Sequence, residues 1–149
     1  EGFKVEEGTR MYLTLDEVKK LSQTECEYPK IKRAFLFSCL TGLRRSDILK
    51  LTWGEVHQQG DFTRIIFRQK KTGGQEYLDI TQQAAELMGD RGNPNDYIFT
   101  DIYSPTCTNE AIKRWVLRAG IHKEITFHVA RHCAFSFSLK FNSLQNIST

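Results

Sequence analysis

The sequence is short of nearly every feature that would assign it to a specialised class. It has 149 residues and no apolar run close to the roughly 20 residues a membrane helix needs, so no membrane span is expected. Its four cysteines, Cys26, Cys39, Cys107 and Cys133, are scattered and form no C-x-x-C pair. They read as reduced thiols of a cytosolic protein, with Cys39 acting as a small hydrophobe inside an apolar run. There is no internal repeat and no low-complexity segment. Charge of one sign is not in large excess: the net charge is +3, compatible with a nucleic-acid partner but too weak to argue for one. The first residues, Glu1 to Gly8, are charged and do not form a signal peptide; they read as a linker entering a domain.

What is present is the composition of an ordinary globular domain, 40% apolar and 26% charged, in a chain long enough to bury a core. Thr14 and Glu17 form a capping box, with Leu13 and Val18 placed as a hydrophobic staple, so a helix starts there. A second helix begins at Pro29, carries Ile31, Ala34, Phe35, Phe37 and Leu40 on most of its sides, and ends at Gly42. A short third helix covers Ser46 to Leu51. The pattern then changes to β-branched and aromatic residues. Phe62–Arg68 and Gln75–Ile80, separated by Lys70-Lys71-Thr72-Gly73-Gly74, predict a β-hairpin. Thr81 caps a helix that ends at Gly89. Residues 90–107 read as loop. A stripe of Ala111, Ile112, Trp115, Val116 and Ala119 predicts a helix ending at Gly120, and a last helix starts near Thr126. The order helices, hairpin, helices predicts a mainly α domain with a small antiparallel β-sheet, an α+β fold.

Three clusters carry polar chemistry. In Thr41-Gly42-Leu43-Arg44-Arg45-Ser46-Asp47, Arg44 sits at the junction of two packed helices, where its planar fork suits two oxygens of a phosphate. Pairing with Asp47, or with helix-end carbonyls, is the competing use. Lys70, Lys71 and Thr72 lie at the hairpin turn, where a lysine can project into a bound groove or stand as a solvated surface charge. Adjacent strand residues face opposite ways, so only one of the two lysines can aim inward. In His128-Val129-Ala130-Arg131-His132, His128 and Arg131 share one helix face. His128 and His132 have the spacing of a zinc pair. The metalloprotease motif needs a glutamate directly after the first histidine, where Val129 stands, and no third ligand is evident, so no metal site is expected.

Taken together and in this order, these residues resemble the catalytic domain of tyrosine recombinases, the integrases of phages and mobile elements. The resemblance runs from Tyr12 to His132. It rests on the opening helix Leu13 to Val18, the Thr41 to Asp47 segment, Lys71-Thr72, and H-x-x-R-H at 128–132. It implies that Arg44 and Arg131 grip the scissile phosphate, that Lys71 protonates the leaving 5′ oxygen, and that His128 assists. Arg45, Lys70, Thr72 and His132 would lie against the DNA. The same resemblance implies that no metal and no other cofactor takes part, that the partner is double-stranded DNA, and that the family assembles as a tetramer on it. It also implies a cytoplasmic location at the bacterial nucleoid.

The family's nucleophile is a tyrosine beyond the second signature. The chain's five tyrosines, at 12, 28, 77, 97 and 103, all precede Arg131, so no nucleophile is assigned. Residues 1–11 are therefore expected to be a linker, 12–132 the catalytic domain and 133–149 an atypical tail. The expectation is a domain that binds DNA weakly, is monomeric alone and is inactive as given. The competing readings are a non-catalytic DNA-binding remnant and a domain like that of type IB topoisomerases.

Overall fold

A computed structural model describes residues 12–68, 72–102 and 104–133. Leu15–Gln23 form α1, whose start carries both halves of the capping box: the Glu17 backbone N–H donates to Thr14 Oγ1 at 3.1 Å, and the Thr14 N–H donates to Glu17 Oε1 at 2.9 Å. Pro29–Thr41 form α2, opened by a proline that has no N–H to lose in the first turn. Its residues from Ala34 to Cys39 are buried without a break. A helix apolar on most of its sides is central, and α2 is the element against which the others pack.

Arg45–Leu49 form the short α3. A turn of 3₁₀-helix at Trp53–Glu55 leads into an antiparallel sheet of β1 (Val56–Gln59), β2 (Phe62–Arg68) and β3 (Gln75–Ile80), in that order. Val56 pairs with Ile65, and Thr63 with Ile80. This register turns Val56, Ile65, Phe67 and Ile80 toward the helices, and all four are buried. The hairpin is the one expected from sequence; β1 is an addition to it. Only Val56 among the four β1 residues is buried, so the strand lacks the alternation that would reveal it.

Gln82–Met88 form α4, capped by Thr81, whose Oγ1 accepts from the Ala84 N–H at 3.2 Å. Pro105–Arg118 form α5. It begins inside the stretch read as loop. Its first turn has no apolar stripe, and the start is marked instead by Ser104, whose Oγ accepts from the Cys107 N–H at 3.3 Å. Residues 127–133 are helical and form α6.

Phe35, in the middle of α2, joins these pieces. Its ring meets Trp115 of α5 edge-on at 5.5 Å and Phe127 of α6 at 5.8 Å. Trp115 is 1% exposed, and its indole N–H donates to the carbonyls of Leu21 (3.2 Å) and Thr24 (3.0 Å), tying α5 to the end of α1. Cys133, grouped with the tail by sequence, is buried in the core and accepts the Leu13 N–H at 3.3 Å. Among the described residues no helix is long and apolar enough to cross a membrane.

Two outcomes follow from this packing. Trp115→Ala removes a buried ring together with the donor for two carbonyls and should cost about 3–5 kcal/mol, read by urea denaturation. Cys26, Cys39 and Cys133 are buried and Cys107 is exposed. A thiol reagent should therefore titrate one group in the native protein and the remaining three only after unfolding.

Candidate phosphate-binding site

The site begins with the end of α2. Gly42 adopts a left-handed conformation (φ 80°), which a residue with a side chain enters only with strain, and its N–H closes the helix on the Ser38 carbonyl at 2.8 Å. The buried Ser38 hydroxyl donates to the Leu43 carbonyl at 2.8 Å, and the Leu43 N–H donates to Thr41 Oγ1 at 3.2 Å. The turn from α2 to α3 is thus pinned at three points. Arg44 follows as the N-cap residue of α3, and its carbonyl accepts from the N–H groups of Asp47 and Ile48, both at 3.0 Å.

The second part comes from α6. Arg131 Nε donates to the Gly42 carbonyl at 3.1 Å across 89 residues of sequence. One carbonyl at the helix end therefore holds the second arginine beside the turn that places the first. The rest of the Arg131 guanidinium has no other protein partner among the described residues. Neither has Arg44, which forms no ion pair with Asp47 and caps no carbonyl there, so the competing use considered for it is not the one observed.

Arg44, Arg45, His128 and Arg131 line one open cleft of about 230 Å³, with Asn109 and Thr126 on its wall. The three arginines are half-buried and His128 is exposed. Burial lowers the pKa of Arg45 from its ordinary value, while leaving a guanidinium that is cationic in the neutral range. A second cavity of about 460 Å³ also contains cations, Lys30 and Arg33. There Lys30 is paired with Asp101, Arg33 Nε is bonded to the Leu87 carbonyl, and Asp90 and Asp96 face the same space, so that cavity has no net attraction for an anion.

His132 lies just outside the cleft. Its Nε2 is 3.1 Å from His128 Nε2, the rings meeting edge-on, so one imidazole donates and the other accepts. On its other side it meets the Tyr12 ring at 6.2 Å. Thr72 is at the hairpin turn, exposed, with its hydroxyl accepting from the Gly74 N–H at 3.1 Å, and it does not line the cleft. Lys70 and Lys71 lie outside the described residues, as do Tyr103 and residues 1–11 and 134–149.

The cleft brings together Arg44, Arg45, His128 and Arg131, all of them expected from sequence. Ser38, Thr126 and above all Asn109 were not on that list. Ser38 sits in an apolar run and Asn109 on a polar helix face, so neither has a local signal of its place at the cleft. Three guanidinium groups lining one space, smaller than the roughly 300–1,000 Å³ of most small-molecule pockets, suit a small ligand with anionic oxygens.

Comparison of curated proteins by sequence finds no match to this chain. Solved structures do resemble it. The XerA recombinase superposes with a TM-score of 0.67 at 22% identity, over 88% of this chain and 50% of that one. The XerH site-specific recombinase bound to its difH substrate, in a pre-cleavage complex, gives 0.65 at 16%, over 83% and 41%. A lambda integrase(75-356) dimer bound to a COC' core site gives 0.63 at 21%, over 85% and 49%. The chain thus spans half or less of the length of these proteins. The sequence itself matches the phage integrase family over residues 11–143, a span that includes both arginine-bearing segments of the cleft, and the chain therefore belongs to the phage integrase family.

Proposed function

We propose that the cleft binds the scissile phosphodiester of duplex DNA and that the chain is the catalytic domain of a site-specific recombinase. The observation that carries this reading is the pair of partly buried guanidinium groups, Arg44 and Arg131, lining one small cleft with protein partners for neither outer fork among the described residues. Half-buried cations left unsatisfied by protein are costly unless an anion completes them. Membership of the phage integrase family supports DNA as the source of that anion.

On this reading Arg44 and Arg131 hold the two non-bridging oxygens and stabilise the charge that builds on them as phosphorus becomes five-coordinate. His128 hydrogen-bonds the same phosphate. Its Nε2 contact with His132 holds the imidazole in place, so His132 acts on the DNA through His128. Arg45 neutralises a phosphate at the cleft wall. Lys71 delivers a proton to the leaving 5′ oxygen, with Lys70 and Thr72 against the backbone nearby. The attacking group is a tyrosine that forms a 3′-phosphotyrosyl link, which conserves the energy of the phosphodiester for rejoining. With cations from side chains doing this work, neither a metal nor another cofactor is invoked. The working assembly is a tetramer on two DNA sites at the nucleoid in the cytoplasm, and the chain alone is a monomer.

The residues at hand account for gripping and polarising the phosphate. The five tyrosines all precede Arg131, and none is assigned as the nucleophile.

Arg44→Ala and Arg131→Ala should each weaken binding to a duplex oligonucleotide by about tenfold or more, the scale of a lost hydrogen bond to a charged group. Each should also flatten the dependence of log affinity on log salt by about 0.9, the release of one counterion. Fluorescence anisotropy over a salt series measures both, and unchanged affinity and slope would refute the site. Incubated with a nicked suicide duplex, the 149-residue chain should give no covalent adduct; a tyrosine-linked product on a denaturing gel would overturn that expectation.

A further inference from the structure

We infer that Asn109 is a DNA-contacting residue of this cleft, its carboxamide linking the start of α6 to a phosphate oxygen; this rests on the reading of the cleft given above. Asn109 lies on α5, in the turn after Thr106, and belongs to none of the segments that identify the site in the sequence. Its Oδ1 accepts the backbone N–H of Phe127 at 2.9 Å. That N–H belongs to the first turn of α6, where backbone donors have no partner inside the helix. Phe127 is 4% exposed, so water cannot readily replace the bond. The helix that carries His128 and Arg131 therefore begins on a side chain from another helix.

The same bond orients the rest of the group. A backbone N–H needs an acceptor, so the carbonyl oxygen of the carboxamide must face Phe127, and the Nδ2 end must face away. Asn109 lines the cleft alongside Arg44, His128 and Arg131. Among the described residues nothing accepts from Nδ2, and it is not sealed in the core. A planar amide clamped at one end, with two unused donors at the other, stands in a cleft whose charged side chains are the guanidinium groups of Arg44, Arg45 and Arg131, beside the hydroxyls of Ser38 and Thr126 and the imidazole of His128. The ligand chemistry that completes it is an oxygen acceptor of an anion, here a non-bridging oxygen of the DNA backbone. A neutral donor adds to the grip without adding charge repulsion to three neighbouring guanidinium groups.

The two ends of the side chain can be tested separately. Asn109→Asp is nearly isosteric, keeps an oxygen for the Phe127 N–H and places a negative charge where the helix dipole favours it. It loses the donors. Asn109→Ala loses both functions. Thr106→Asp, an exposed position one turn away on the same helix, reports the effect of an added negative charge alone. Duplex binding is measured by anisotropy well below the melting temperature, and stability by thermal unfolding. The expected result is that Asn109→Asp melts with the unaltered protein yet binds DNA at least tenfold more weakly, a loss clearly greater than that of Thr106→Asp. Asn109→Ala should lose both melting temperature and affinity. Affinity of Asn109→Asp equal to that of Thr106→Asp would overturn the contact and leave Asn109 as a helix cap only. A melting temperature for Asn109→Asp as low as that for Asn109→Ala would overturn the oriented geometry. If Arg131→Ala also binds DNA normally, the cleft is not the DNA site and the inference falls with it, an outcome distinct from loss at Arg131 without loss at Asn109.

Discussion

The hydrogen bond from Arg131 Nε to the Gly42 carbonyl is the contact on which the site depends. It exists because Gly42 ends α2 in a left-handed turn, which swings a carbonyl free of the helix ladder and toward α6. The same turn sends the chain to Arg44. One backbone conformation therefore places the backbone of Arg44 and, through the Gly42 carbonyl, holds the guanidinium of Arg131. A donor held before the anion arrives, as Arg131 is, needs little rearrangement, which is the condition for strong electrostatic stabilisation.

That turn would be of little use on a mobile frame. Phe35, about two helical turns before Gly42, makes edge-on contacts with Trp115 and Phe127. The first anchors α5 and the second anchors the start of α6. Trp115 in turn reaches the end of α1 through its indole N–H. Lys123 adds a surface tie, donating to the Tyr12 carbonyl at 2.9 Å and to Glu17 at 2.8 Å. The core holds α2, α5 and α6 in one body, and the cleft opens where their ends meet.

Most helices were legible because their ends carry chemical signatures. Thr14 with Glu17, Pro29, Gly42 and Thr81 each mark a boundary by a local hydrogen-bonding or torsional requirement. The hairpin was legible from its β-branched residues and its turn. β1 was not, since a strand with one buried residue has no period, and its existence depends on β2 lying beside it. The start of α5 was missed for a related reason: Ser104 and Pro105 signal it, but the apolar stripe begins a turn later.

The site divides in the same way. Sequence alone determined which residues have the charge and fork geometry to hold a phosphate, because Arg44 sits at the junction after Gly42 and because His128 and Arg131 share a helix face, a local property of a 3.6-residue period. It also determined that Gly42, free of a side chain, could turn left-handed. Only the tertiary structure decided that the Arg44 side chain would not pair with Asp47, that Arg131 would bond to Gly42, and that Asn109 would cap a helix eighteen residues further on. Those outcomes depend on how α2, α5 and α6 pack around Phe35, and contacts between distant segments leave no periodic trace in the chain that makes them.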